Sequence, residues 1–484
     1  MSDNFIRLDD HASTDRALAE SVFAKARLSR DPRFDGRFFV AVKTTGIFCR
    51  PICPARLPKE ENVTYYQHAT QAMAEGYRPC FRCRPDSAPS SAAWKGVGAT
   101  ISRALSLLSI IPIERVADIA TRLGISERYL NKLVVNAVGI SPKQFQNMQR
   151  ALFAKQLIQQ THLSMTDVAV TAGFQSLRQL QRAVEQYCAS SPTQLRKKER
   201  AEQKHISLFL SYRPPYNWPY VRDFLATRAI EGMERVTEDS YERYFTCGNN
   251  LGFFKAVHDK ARHGFSLHLD MPDLSRLHKT IENIKWVLDL HGDPLLIEQS
   301  LIQAGLPKAR LTKGLRLPSA WSVFESGCRA IVGQQVSVKA AIGQVTLLVH
   351  QVGAKPSETQ SLNPLNVTGK DKYGFPSPEA VANDSLEFLR MPQARKDAVR
   401  RFAHLFVGDN VPSHENILAI KGVGPWTLDY LKMRGERNPD IYLGGDLIVR
   451  KMAKQFPVEP EKAAPWRSYL TLQLWQLSNE QKEV

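Results

Sequence analysis

Cysteine is scarce in this chain, with seven in 484 residues. A sparse, odd-numbered set argues against a disulfide framework and for reduced thiols or a metal. Long apolar runs are missing too. None approaches the ~20 residues of a membrane span, and the opening MSDNFIRLDDHASTDR lacks the basic-then-apolar layout of an export signal. The expected location is the cytoplasm, with no membrane partner. Negative charge is in deficit, 48 acidic residues against 65 Lys and Arg, for a formal net charge of +17. That balance favours a polyanionic partner, nucleic acid before an anionic membrane. At about 150 residues per domain the length allows roughly three domains, each able to bury a core.

Four of the seven cysteines are clustered. Cys49 and Cys53 flank RPI in GIFCRPICPARLP, and Cys80 and Cys83 flank FR in GYRPCFRCRPD. Two cysteine pairs joined by a longer loop are what a tetrahedral thiolate zinc site requires. Spacing alone does not separate a closed staple, holding a domain too small to fold on its core, from a site in which one thiolate reacts. Cys188, Cys247 and Cys328 have no Pro-Cys-His run around them and read as ordinary buried cysteines.

From Asp31 to Asp86, DPRFDGRFFVAVKTTGIFCRPICPAR and NVTYYQHATQAMAEGYRPCFRCRPD resemble the amino-terminal domain of bacterial adaptive-response regulators for DNA methylation damage. The resemblance implies that Cys49 takes a methyl group from a methylphosphotriester in the DNA backbone and is not regenerated. A zinc-bound thiolate stays deprotonated at neutral pH and is a soft nucleophile suited to methyl transfer. Four thiolates around one Zn²⁺ carry a formal charge of about −2, and methylation moves it toward −1. Repulsion from DNA phosphates then weakens, which makes the module a candidate electrostatic switch. Arg50, Arg56, Arg78, Arg82 and Arg84 surround the cysteines, either as phosphate contacts or as a solvated face.

After DSAPSSAAWKG, whose composition is that of a linker, a helical pattern occurs twice. Val116, Ile119, Ala120 and Leu123 form an apolar stripe, Gly124 and Ser126 mark a turn, and ERYLNKLVVNAV follows as a helix. Met165, Val168, Ala169 and Ala172, then Gly173 and Ser176, then LRQLQRAVEQY repeat the scheme. Each copy closes on Ser-Pro, at Ser141-Pro142 and Ser191-Pro192, a cap with proline at the first helical position. The segment resembles the double helix-turn-helix domain of AraC-type transcription regulators. By that resemblance each second helix enters the major groove, with Arg128, Asn131 and Lys132, and Arg178, Gln179 and Arg182, as readout candidates.

From His205 the alternation in HISLFLSY and FSLHLDM is that of strands, and later segments are helical. In ILAIKGVGPWTLDYL, Gly422 and Gly424 permit a tight hairpin whose free amides can face a phosphate. That hairpin, with Asp446 in IYLGGDLIVRK, resembles the helix-hairpin-helix DNA glycosylases. SYRPPYNW, LRLPSAWSVFESGCRAIVGQQVS, YGFPSPEAVA and PWRSYLTLQLW match the inducible 3-methyladenine DNA glycosylases across Ile206 to Trp475. The resemblance implies Asp446 as catalytic carboxylate, Gly422 and Gly424 as backbone clamp, a monovalent cation at the hairpin, and Trp426, Tyr430 and Trp475 around the base pocket. Tryptophan at 426, where backbone-cutting relatives carry a Schiff-base lysine, implies a monofunctional enzyme. Gln335 stands where relatives place an apolar wedge that fills the gap left by a flipped base. Gly444 and Gly445 precede Asp446 where relatives often carry proline or another acid.

The chemistry agrees with these roles. Breaking an N-glycosidic bond develops positive charge on the sugar, which a nearby carboxylate stabilises. An alkylated purine is cationic and is attracted to Trp and Tyr faces by roughly 0.5 to 2 kcal/mol per contact. It must first be flipped from the stack, at a cost of a few kcal/mol.

The expected architecture is multidomain: a small α/β zinc domain (16–90), an all-α double helix-turn-helix domain (95–200), and an α+β glycosylase with an antiparallel-sheet subdomain (205–285) and a helical helix-hairpin-helix core (286–484). The expected function is excision of 3-methyladenine and other alkylated purines, with methyl acceptance at Cys49 and sequence-specific DNA binding. The expected partners are double-stranded DNA and RNA polymerase, and the expected state is a monomer. The alternative is a regulator with a structural zinc site and a non-catalytic carboxy-terminal DNA-binding domain. The polar stretch KPSETQSLNPLNVTGKDKYG reads as a loop.

Overall fold

A computed structural model describes residues 20–80, 82–83, 85, 99–196, 206–248, 250–356, 372–408 and 411–481. The linker segment, most of the polar stretch after Lys355, and Arg84 lie outside them. The chain divides into two compact units, residues 1–159 with 163–199, and 160–162 with 200–484. Among the described residues no helix is long and apolar enough to cross a membrane.

The first unit begins with α1 (20–28) and a four-stranded sheet in the order β3-β1-β2-β4. β1 (Phe39–Val42) is antiparallel to β2 (Ile47–Cys49) and β3 (Val63–Tyr66), and β2 is parallel to β4 (Arg78–Pro79). The strand period of two sends Phe39 and Ala41 to one face, where they pack with Phe48, Tyr66 and Ala72 of α2 (Ala69–Ala74). Phe38 and Val40 go to the other and pack on Ala26 and Phe23 of α1. Both clusters are small, the situation in which a metal supplies the missing folding energy.

The helical part comprises α3 (Ala99–Leu108), α4 (Val116–Arg122), α5 (Glu127–Val138), α6 (Pro142–Gln160), α7 (Met165–Thr171), α8 (Leu177–Cys188) and α9 (Pro192–Leu195). Local chemistry sets its joints. Gly124 and Gly173 adopt φ of +68° and +75°, in the left-handed region that favours glycine. Ser126 Oγ accepts from Tyr129 N at 3.2 Å and Ser176 Oγ from Gln179 N at 3.3 Å, so both serines start the second helix of their copy. Both Ser-Pro closures are capping boxes, with Gln144 and Gln194 reaching back to the amides of Ser141 and Ser191. The long α6 links the two copies. Its Arg150 donates to the carbonyls of Ala172 and Gly173 and lies 4.0 Å from the centroid of Phe174.

The second unit carries an antiparallel sheet in the order β5-β9-β8-β7-β6. Its strands are β5 (Ile206–Ser211), β6 (Glu234–Val236), β7 (Ser240–Cys247), β8 (Asn250–Asp259) and β9 (Gly264–Asp270). Its helices are α10 (Trp218–Ala226), α11 (Leu277–Val287), α12 (Pro294–Gln303), α13 (Val323–Val332), α14 (Val338–Val352), α15 (Pro378–Asn383), α16 (Gln393–Leu405), α17 (His414–Leu418), α18 (Pro425–Arg434), α19 (Leu447–Gln455) and α20 (Arg467–Glu480). One apolar cluster is built from α13 to α18, and a second from α12, α19 and α20. α18 serves both, giving Leu428 and Leu431 to the first and Met433 to the second. The loop 435–446 and the helix that carries Asp446 as its cap are thereby held beside the hairpin helix. A buried ion network joins sheet to helices: Arg243 pairs with Glu234 at 2.7 Å and with Glu325, and Arg329 with the same two acids at 2.8 and 2.9 Å. Cys188, Cys247 and Cys328 are buried, as expected.

Candidate functional site

In the first unit, β2 ends on Cys49 and β4 runs into Cys80, whose amide donates to Phe48 O at 2.9 Å. The parallel pairing of β2 with β4 thus brings the two cysteine pairs together. The four Sγ atoms of Cys49, Cys53, Cys80 and Cys83 all lie within 4.8 Å of one another, compatible with a tetrahedron at Zn–S of about 2.3 Å. Hydrogen bonding within the thiol cluster pulls Cys53 down to about 7 and pushes Cys49 up. A divalent cation removes that conflict by holding all four as thiolates. Cys53, Cys80 and Cys83 are buried, whereas Cys49 is half-buried.

The arginines around this cluster divide. Arg56 and Arg82 are exposed and Arg78 is half-buried. Arg50 is buried and structural: it pairs with Asp35, donates through Nη1 to Cys83 O at 3.2 Å, and its amide reaches Cys83 Sγ at 3.3 Å. A guanidinium committed in this way orients the cysteine loop instead of meeting phosphate. Asp35 gave no signal in the sequence, because it lies outside the cysteine motifs.

On α5 the buried stripe is Leu130, Val134 and Val138, which leaves Arg128, Asn131 and Lys132 exposed. On α8 the stripe is Leu180, Val184 and Cys188, and Arg178, Gln179 and Arg182 are exposed. Gln179 also has a local task, since its Oε1 accepts from Gln175 N at 3.1 Å.

In the second unit the hairpin precedes α18. Gly422 is exposed at φ +96°, and Gly424 is the N-cap of the helix. Gln335 is exposed at φ +57°. Its neighbour Gln334, which sequence reasoning missed, donates Nε2 to Gly422 O and to Thr427 Oγ1, both at 2.9 Å. The loop carrying Gln335 is thereby tied to the hairpin.

Asp446 caps α19: its Oδ1 accepts from Ile448 N at 3.0 Å, Val449 N at 3.1 Å and the indole Nε1 of Trp475 at 3.1 Å. Trp426 and Tyr430 stack at 5.3 Å and 19° on successive turns of α18. Tyr430 and Trp475 pack against one apolar cluster, together with Tyr220 and Tyr442. Burial alone would raise the Tyr430 phenol, but the guanidiniums of Arg434, Arg228 and Arg329 bring it below its ordinary value. Arg228 and Arg434 had no sequence signal, because neither belongs to a recognisable motif. Trp466 is buried and Trp475 half-buried.

Three family models match: the metal-binding domain of Ada over residues 23–86, a helix-turn-helix domain over 119–198 and the AlkA N-terminal domain over 207–322. A probable bifunctional transcriptional activator/DNA repair enzyme AlkA from Mycobacterium tuberculosis is 33% identical over 485 residues, covering 93% of this chain and 95% of its own. DNA-3-methyladenine glycosylase 2 from Escherichia coli is 28% identical over 55% of this chain and 95% of its own. The bifunctional transcriptional activator/DNA repair enzyme Ada of the same species is 37% identical over 30% of this chain and 40% of its own. The four cysteines are accordingly one four-thiolate zinc site, and the chain belongs to the family of fused activator/repair proteins that join an Ada-type zinc domain, a helix-turn-helix domain and an AlkA-type glycosylase.

Proposed function

We infer that the chain binds double-stranded DNA and repairs alkylation damage by two chemistries. It is a DNA-3-methyladenine glycosylase of the monofunctional kind and a zinc-thiolate methyl acceptor. The observation that carries the glycosylase reading at residue level is Asp446, whose Oδ1 is saturated by two amides and the Trp475 indole. Among the described residues its Oδ2 has no hydrogen bond, which leaves it for the sugar cation or a water. Trp426, Tyr430 and Trp475 supply faces for a cationic base. Gly422 and Gly424 present backbone to phosphate, Gln335 fills the gap in the stack, and a monovalent cation at the hairpin would strengthen the grip.

In the amino-terminal unit, accessibility selects Cys49 as the methyl acceptor. The exposed Arg128, Asn131, Lys132, Arg178, Gln179 and Arg182 read the major groove. The domain division at 16–90, 95–200, 205–285 and 286–484 follows these tasks. Contact with RNA polymerase, a monomeric state and a cytoplasmic location complete the proposal.

The test is incubation with duplex DNA methylated from a radioactive donor. Label is expected both as free 3-methyladenine and on the peptide containing Cys49. Free base without protein label would leave a glycosylase with a structural zinc site, and label in neither fraction would favour a regulator.

A further inference from the structure

The stripe of α18 that carries Trp426 and Tyr430 continues four residues on to Arg434, since positions four apart share a helix face. Arg434 is 6% exposed, and its Nε and Nη1 have no hydrogen-bond partner. Its guanidinium carbon lies 4.3 Å from the centroid of the Phe224 ring, and that of Arg228 lies 3.7 Å from the same centroid. Arg228 donates to the carbonyl of Phe224 and hydrogen-bonds the Tyr430 phenol, and among the described residues neither arginine has a carboxylate partner. Their neighbour Arg329 is, by contrast, matched by Glu234 and Glu325.

A buried cation without a counter-charge is costly, and the protein tolerates it beside the stacked aromatics. Burial pushes the Arg434 guanidinium down to about 10, against the opposing influence of the Tyr430 phenol. The groups placed to benefit are the phenols of Tyr430 and Tyr220, which sense both guanidiniums. Positive potential at a phenol makes its O–H a stronger donor and stabilises negative charge on whatever accepts from it.

That potential opposes a cationic base and suits a different leaving group. A cationic 3-methyladenine departs as a neutral molecule. A neutral oxopurine does not. Its N9–C1′ bond breaks with the electron pair passing to the base, the oxygen of water bonds to C1′, and a proton of that water ends on the base. Until that proton arrives, the departing base is an anion.

We propose that Tyr430 is a specificity-determining donor that bonds a ring or carbonyl acceptor of neutral purines and holds the negative charge they take on leaving, with Arg434 and Arg228 as the positioning residues that polarise it. This rests on the reading that the flipped base lies against Trp426 and Tyr430. Charge placed where it develops in the transition state raises the rate for the substrate that develops it.

The experiment measures single-turnover release of hypoxanthine and of 3-methyladenine from duplex DNA by the full chain. Y430F and R434M are each expected to lower the hypoxanthine to 3-methyladenine rate ratio by about tenfold or more. R434K is expected to retain most of the ratio, and the double variant Y430F/R434M to be no lower than the lower single one, because the two residues act as one device. R434M is expected to melt near the parent temperature, since it removes an uncompensated charge. Should it fail to fold, R228M tests the same ratio. A ratio within about twofold of the parent in R434M, or single effects that simply multiply in the double variant, overturns the proposal. D446N is the control on the underlying reading: if it releases both bases at the parent rate, the site assignment itself fails, whereas loss of both with an unchanged ratio in R434M sinks the specificity device alone.

Discussion

The indole Nε1 of Trp475 donates to Oδ1 of Asp446 at 3.1 Å, on an oxygen that already accepts the amides of Ile448 and Val449. One carboxylate oxygen is thus committed to α19 and α20, which fixes where the other points. Asp446→Asn keeps an oxygen for those donors while removing the charge. It should fold and bind DNA, yet release base at least about a hundredfold more slowly. Trp475→Phe keeps a ring but removes the donor and should cost roughly tenfold. Base release by either variant at the parent rate would dissociate Asp446 from the chemistry.

The zinc module predicts a split among its own ligands. Cys53, Cys80 and Cys83 are buried and Cys49 is half-buried. Alanine at any of the buried three should lose zinc and expose the amides of β1 to β4 to hydrogen exchange, as should a strong chelator. Cys49→Ser should eliminate methyl uptake. Methyl label on another cysteine in that variant would remove accessibility as the selecting factor.

Gly422 sits at φ +96°, where alanine is strained by about 1 to 2 kcal/mol. Gly422→Ala should therefore weaken binding of duplex DNA by roughly tenfold. Gln334→Ala, which frees Gly422 O and Thr427 Oγ1, should act in the same direction with a smaller effect. Titration of labelled duplex checks both, and unchanged affinity in Gly422→Ala would show that the hairpin does not hold the backbone.

The exposed faces of α5 and α8 predict two kinds of loss. A side chain that reads a base costs about 1 to 3 kcal/mol at one position of the binding site, whereas one that meets phosphate weakens all sequences and lowers the salt slope by about one. Alanine at Arg178 and Arg128, tested on a library of duplexes at several salt concentrations, sorts them. Gln179→Ala should also fray the start of α8, because the side chain bonds Gln175 N.

Much of the fold was legible because its signals are local. Helix phase put Ile119 and Ala120, and Val168, Ala169 and Ala172, in the apolar stripes that the fold buries, the Ser-Pro closures read as caps, and the cysteine spacing read as a zinc site. For Arg50, proximity to the cysteines suggested either a phosphate contact or a solvated face, and the fold buries it against Asp35. Gln334 and Arg434 were invisible, the first because its partner Gly422 is 88 residues away, the second because its significance is the partner it lacks.

What the amino-acid sequence determined by itself are the features whose energies act within a turn or two of chain: stripes, caps, glycine turns, ligand spacing. Only the tertiary structure decided which charges are paired. Pairing depends on elements far apart in sequence being packed together, and burial converts a surface arginine of little energetic consequence into one whose missing partner matters.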